Sequence, residues 1–206
     1  MNYKYQVRRE LRPKQLTDIS EDQIAQHWTL YEGYVSNVNL LNENIFALAE
    51  KKSFGPEFAE LKRRLGFEYN GMILHEHYFG VLKAGQQPLG AHAELTKLFK
   101  KSFGGFDNWR EEFAAVGKMR GVGWAILYLD LSRRLLSNHW INLHEDGHPA
   151  GCLPLIVMDV WEHAYMVDSG VDGRAACVEA FLKNINWPRA EEILTGILAG
   201  TKTEVG

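Results

Sequence analysis

Asp159 and His163 stand at the end of an apolar run, Leu153–Val160, that reads as a buried strand. A carboxylate or imidazole in such surroundings needs a hydrogen-bond partner or a metal ion to offset its lost hydration. If the backbone turns between them, the two side chains can converge on one ion and offer it an oxygen and a nitrogen. They can equally form a hydrogen-bonded Asp–His pair that caps the strand, and the local residues alone slightly favour that pair. Two more imidazoles lie in helix-periodic segments: His27 beside Trp28, and His75 within Leu74–Phe79. An antiparallel pairing of those segments would set them opposite each other, although for either histidine alone a packed or surface role is commoner. His77, two positions beyond His75, points to another helix face and reads as an exposed or interface residue. Imidazoles and a carboxylate brought together in this way could hold a metal ion, a hydrolytic zinc among them.

These candidates depend on two long helices and a small sheet. Ser20, followed by Glu21 and Asp22, predicts a helix start. Ile24, Trp28, Tyr31, Val35, Val38 and Leu41 then recur at three and four, one stripe of a helix that continues to Ala49 with a kink expected near Asn42–Asn44. Gly55-Pro56 breaks the chain, and a second helical stretch from Phe58 includes a long buried segment, Glu68–Ala84. Residues 1–20 read as an extended arm. The N-terminal part is therefore expected to be an α-hairpin.

Gln86–Gly90 is the linker candidate, giving two domains, 1–87 and 88–206. His92–Lys101 predicts a short helix; another opens at Phe106 with Asp107 as its cap and ends at Gly121 and Gly123. WAILYLDLSRRLLSNHWINL gives two β-rich runs around a turn at Ser132–Arg134, and Leu153–Val160 gives a third. A helix from Arg174 to Asn184 follows, and Pro188 opens the last one. The fold class expected is α+β: the hairpin, then an α/β domain of helices on a small sheet.

Composition narrows the functions. A net charge of −3 without like-charge runs argues against a broad nucleic-acid face. No run of about 18 apolar residues suggests a membrane span, and the start MNYKYQVRREL carries no signal-peptide pattern. Two cysteines without a Cys-x-x-Cys pair suggest a reduced, cytoplasmic protein.

The string Asp159-Val160-Trp161-Glu162-His163-Ala164-Tyr165 resembles the signature of the iron/manganese superoxide dismutases. Four other segments are similar to that family in the same order: Tyr34–Asn39, the His75 segment, Phe103–Phe106 through Gly123–Ala125, and Asn184–Trp187. The resemblance spans roughly residues 20–190. It implies a helical hairpin followed by an α/β domain with a three-stranded antiparallel sheet. It further implies dismutation of superoxide to dioxygen and hydrogen peroxide at one iron or manganese ion per chain.

Carried over by position, His75, Asp159 and His163 become metal ligands. The family's first ligand lies eight residues before the tyrosine corresponding to Tyr34, where this chain has Gln26, while His27 lies seven before it. Seven residues is close to two helical turns, so His27 shares a face with Tyr34 and is preferred; Gln26 is the competing occupant, and an amide is a poor ligand for these metals. Tyr34 resembles the gateway tyrosine that passes protons. His144 lies near the position of the residue that hydrogen-bonds the metal's solvent ligand, because Gly71 cannot fill the other such position. Trp124 and Trp161 would form apolar walls. Arg174 resembles an arginine of the substrate funnel. Glu162 resembles the residue that bridges to the ligand histidine of a second subunit, so Glu162 and His163 imply a homodimer, or a tetramer of such dimers.

Two residues depart from the family's pattern. Its second histidine, four after the first ligand, is Tyr31 here, and the tyrosine after the signature string is Met166. In the family those two residues bond across the dimer interface, so this relay has changed. The change keeps a second expectation open, a metal-binding or structural paralogue with little catalysis.

Overall fold

The first helix begins with a local cap: Ser20 Oγ accepts from Gln23 N at 3.0 Å, and Glu21 and Asp22 occupy the positive end of the helix. The computed structural model describes residues 3–85, 88–91 and 93–200. In it α1 runs over Glu21–Glu50 as one uninterrupted helix, without the kink expected near Asn42–Asn44. Low asparagine propensity is a weak constraint in a helix whose whole apolar stripe is packed. All six stripe residues from Ile24 to Leu41 are buried.

The second helix, α2, covers Pro56–Gly80, with Pro56 in the first turn. Contacts between the two run in opposite order: the His27 ring meets His75, Tyr34 meets Gly71, and Asn37 Nδ2 donates to Glu68 Oε2. The pair is thus an antiparallel hairpin. The N-terminal arm is tied along it and contains a short 3-10 turn, Arg9–Leu11, where only extended chain was expected. Asn39 accepts from Tyr5 N and donates to Tyr5 O, and Tyr31 Oη accepts from Arg8 N.

Beyond the hairpin, α3 is Glu94–Phe103, two residues later than expected. Gln86 and Gln87 of the linker candidate, and His92, lie outside the described residues. The first turn of α3 has no cap of its own; Glu191 supplies one from a distant helix, accepting from Glu94 N at 2.7 Å and Leu95 N at 2.9 Å. α4, Phe106–Gly117, is capped by Gly105 rather than Asp107 and ends before the glycines at 121 and 123.

Strands β1 (Gly123–Asp130), β2 (Leu135–Asn142) and β3 (Cys152–Asp159) form an antiparallel sheet in the order β2-β1-β3. Asp130 closes the first turn by accepting from Ser132 N and Arg133 N. The central strand is buried throughout except at its last residue, and its partner register sets Trp124 directly beside Asp159. Gly123 is required at the entry: its φ is +148°, and a Cβ there would stand 2.0 Å from the Ile141 carbonyl oxygen.

After β3 come a 3-10 turn (Glu162–Ala164), the short α5 (Met166–Ser169), α6 (Arg174–Lys183) and α7 (Trp187–Leu198). The end of the hairpin is sewn to the α6–α7 joint, where Lys83 N donates to Asn184 O and Asn186 N donates to Val81 O. The buried Asn184 side chain also accepts from Thr17 N and donates to Thr17 O. The fold is α+β, and its two parts share one continuous apolar core. No helix among the described residues is long and apolar enough to cross a membrane.

Candidate metal centre

Four elements deliver four donors to one point. His27 comes from α1, His75 from α2, Asp159 from the end of β3 and His163 from the 3-10 turn that follows. Their donor atoms all lie within 4.8 Å of one another. His27 Nε2 and His163 Nε2 each stand 3.0 Å from Asp159 Oδ2, and His75 Nε2 stands 3.6 Å from the same oxygen. Three of the side chains are fully buried, and His163 is 22% exposed. Gln26, the competing occupant of the first position, points to solvent.

The arrangement of lone pairs bears on whether a cation fits. His75 Nδ1 lies 2.6 Å from Gly71 O, so Nδ1 carries the proton and Nε2 is bare. That Nε2 has no hydrogen-bond partner among the described residues and faces a carboxylate oxygen. Two acceptors facing each other in a dry site are reconciled by a positive ion. Burial drives the His75 pKa well below its ordinary value and lowers that of His27, so both imidazoles are neutral donors. Burial works against the Asp159 carboxylate, but its close electrostatic and hydrogen-bonding contacts with the His163 and His27 rings outweigh it and hold its pKa well below the ordinary value. Asp159 Oδ1 is fixed by Trp161 N at 2.8 Å, which leaves Oδ2 for the centre. A neutral imidazole anchored through its other nitrogen to a carbonyl is the usual state of a metal-bound histidine.

A second layer of polar contacts surrounds these donors. Trp124 Nε1 donates to His144 Nδ1 at 3.0 Å, so the neutral His144 ring carries its proton on Nε2. His144 Nε2 then donates to Tyr34 Oη at 2.7 Å, and the phenol hydrogen remains available to another acceptor. Burial pushes the His144 pKa down to about 4. Burial first, and then the negative charge of Asp159, raises that of Tyr34. Trp161 stacks on both His144 and His163, while the edge of Trp124 meets His75. Phe67 packs against Tyr34 and His144 and adds an apolar wall that sequence reasoning missed.

Other candidates sit apart from this cluster. Arg174 donates to Met119 O at 3.0 Å and Gly121 O at 2.6 Å, with its guanidinium over the Tyr165 ring. It borders a cavity shared with Lys118, Arg120, Glu162 and Tyr165. Glu162 is exposed beside His163. Tyr31 turns inward, donating to Glu76 Oε1 at 2.9 Å, and Met166 is 43% exposed. His77 corrects an expectation: it is half-buried against the arm and α7, near Arg8, Leu11 and Arg189, because the arm folds back over that face of α2.

Gln23 was also missed. It is buried one turn before His27 and bonds the backbone on either side of the signature's end. Its signal was a polar residue in line with His27 on the apolar stripe.

Comparison with known proteins is consistent with this centre. Residues 91–193 match the model of the family described as iron/manganese superoxide dismutases, C-terminal domain. The iron superoxide dismutase of Aquifex pyrophilus is 37% identical over 196 residues, covering 92% of this chain and 91% of that protein. That of Cupriavidus metallidurans is 36% identical over 184 residues, 86% of this chain and 89% of the relative. A manganese superoxide dismutase of Halobacterium salinarum is 33% identical over 180 residues, 84% and 86% of the two chains. These relatives match 84–92% of the chain, well beyond the C-terminal region alone. The chain belongs to the iron/manganese superoxide dismutase family.

Proposed function

We propose that this protein dismutates superoxide at a single iron or manganese ion held by His27, His75, Asp159 and His163. The observation that carries the reading is the closure of three imidazole Nε2 atoms around one buried carboxylate oxygen. An ion held there supplies one-electron redox chemistry at a positively charged centre. Two superoxides and two protons give one dioxygen and one hydrogen peroxide, so the chain's task is to admit a small anion and deliver protons.

Tyr34 is positioned for delivery. Because His144 Nε2–H occupies its oxygen, the phenol presents its own hydrogen. Trp124 fixes the His144 tautomer, and Trp124, Trp161 and Phe67 exclude water and bulkier reactants. Arg174 borders a cavity with Lys118 and Arg120 and would help steer an anion, against the carboxylates of Glu162 and Asp172 in the same lining and the pairing of Lys118 with Glu179.

The exposed edge of His163 and the exposed Glu162 beside it support a homodimer on this face, with tetramers as a higher assembly. The division at 87/88 is kept as a proposal about folding units, and a cytoplasmic setting as one drawn from cysteine usage. A silent paralogue finds no support in the donor set.

The test is metal analysis and a dismutation assay on the same purified sample. About one iron or manganese per chain, the stoichiometry of one four-donor site, with metal-dependent turnover is expected. Bound metal without turnover would overturn the enzymatic reading.

A further inference from the structure

The turn that carries His163 has little structure of its own. It is a three-residue 3-10 turn, followed after Tyr165 by the four-residue α5. Elements this short are not held by their own hydrogen bonds and need outside support. The turn also carries the one imidazole of the donor set that is only partly buried.

Its support comes from the opposite end of the sequence. Gln23 is 1% exposed, in the first turn of α1, and both ends of its amide are spent on this turn. Nε2 donates to His163 O at 2.6 Å, and Oε1 accepts from Val167 N at 3.1 Å. One step outward, Asp168 Oδ2 accepts from Ser20 N at 2.8 Å. On its other side the turn has a weaker tie, Cys177 Sγ to Ala164 O at 3.7 Å. Gln23 stands one helical turn before His27, so one rigid segment of α1 carries both a donor and the clamp that holds another donor.

We propose that Gln23 is a positioning residue of the metal centre. Its amide bolts the His163–Val167 turn to the start of α1, so that His27 and His163 keep a fixed separation about Asp159 Oδ2. This rests on the reading of the four side chains as metal ligands. Without the amide, His163 O and Val167 N lose their side-chain partner, and the turn that carries His163 is tied less firmly to α1.

The test compares wild type with Gln23→Leu, which removes both bonds, and Gln23→Glu, which keeps an acceptor for Val167 N but loses the donor to His163 O. Each is loaded with manganese or iron, and release into excess chelator is timed; melting temperature is recorded with and without metal. Leu95→Ala, in the α3 core, serves as a control destabilised away from the turn. Loss of a residue that orients a ligand is expected to accelerate release about tenfold in both Gln23 variants. It should also shrink the metal-dependent rise in melting temperature, whereas Leu95→Ala keeps the wild-type release rate. Wild-type release from Gln23→Glu, or from a folded Gln23→Leu, overturns the inference and leaves Gln23 as packing. A wild-type protein that takes up neither metal overturns the four-ligand reading beneath it.

Discussion

His144 shows how a few contacts fix one side chain's chemistry. Trp124 holds its Nδ1, Tyr34 takes its Nε2–H, and Phe67 and Trp161 enclose the ring. Its pKa is pushed down to about 4, against about 6.5 for an unfolded chain. Between those values the unfolded chain binds a proton that the folded chain refuses, so the contribution to stability falls as pH drops from about 6.5 to about 4. Glutamine can accept from Trp124 and donate to Tyr34 without titrating. His144→Gln is therefore expected to lose less stability than wild type across that window, measured by denaturant unfolding of metal-free protein. His144→Leu leaves the Trp124 N–H unpaired, and a cost of about 1–3 kcal/mol at neutral pH is expected. Equal acid sensitivity in wild type and His144→Gln would refute this account.

The same scale shows what a sequence can carry. Asp159 and His163 were legible because they lie four apart in one unusual string. His27 could be chosen over Gln26 because a helix face is periodic, and in the fold the two point to opposite environments. Gln23 was not legible as a clamp, since its partners are backbone atoms about 140 residues away and backbone leaves no mark in residue identity. The inward turn of Tyr31 was hidden for a related reason: its partners are Glu76 and an N–H of the folded-back arm.

At the scale of elements, the separation of α1 and α2 is set where Tyr34 lies on Gly71. A Cβ at position 71 would stand 2.6 Å from Tyr34 Cδ1. Alanine in a helix interior is intrinsically better than glycine by about 1 kcal/mol, so Gly71→Ala sets helix propensity against a side-chain clash. The half-buried Tyr34 ring is the movable partner, and its rotation breaks the bond to His144. Gly71→Ala is expected to change melting temperature little and to lower dismutation by about 100-fold, the lower end of the scale for one displaced proton donor. A crystal structure would show the displaced ring, and unchanged activity would mean that the helices spread instead. The longer helices and the three strands were readable from residue pattern, including all six buried stripe positions of α1, whereas the short α5 and the 3-10 turns were not. Caps were not: Glu191 caps α3 from another helix, and only tertiary structure brings the two together.

On the scale of the whole molecule, the centre joins both halves of the chain, yet its His163 side stays partly open within one subunit. Glu162, Met166, Val167 and Val171 are all exposed near that opening, an apolar and acidic rim on a chain of net charge −3. If subunits pair on this face, the partner covers His163 and restrains the turn that Gln23 holds from the other side. Metal retention then becomes a property of the assembly, because ligand binding and association are linked through the same folded state. Dilution provides the measurement. Sedimentation gives the concentration at which the assembly comes apart, and chelator-driven metal release is timed across the same range. Release is expected to quicken at the concentration where subunits separate, with both curves sharing a midpoint. A release rate independent of concentration through a demonstrated dissociation would place the contact surface elsewhere and leave α1, through Gln23, as the support of the exposed ligand.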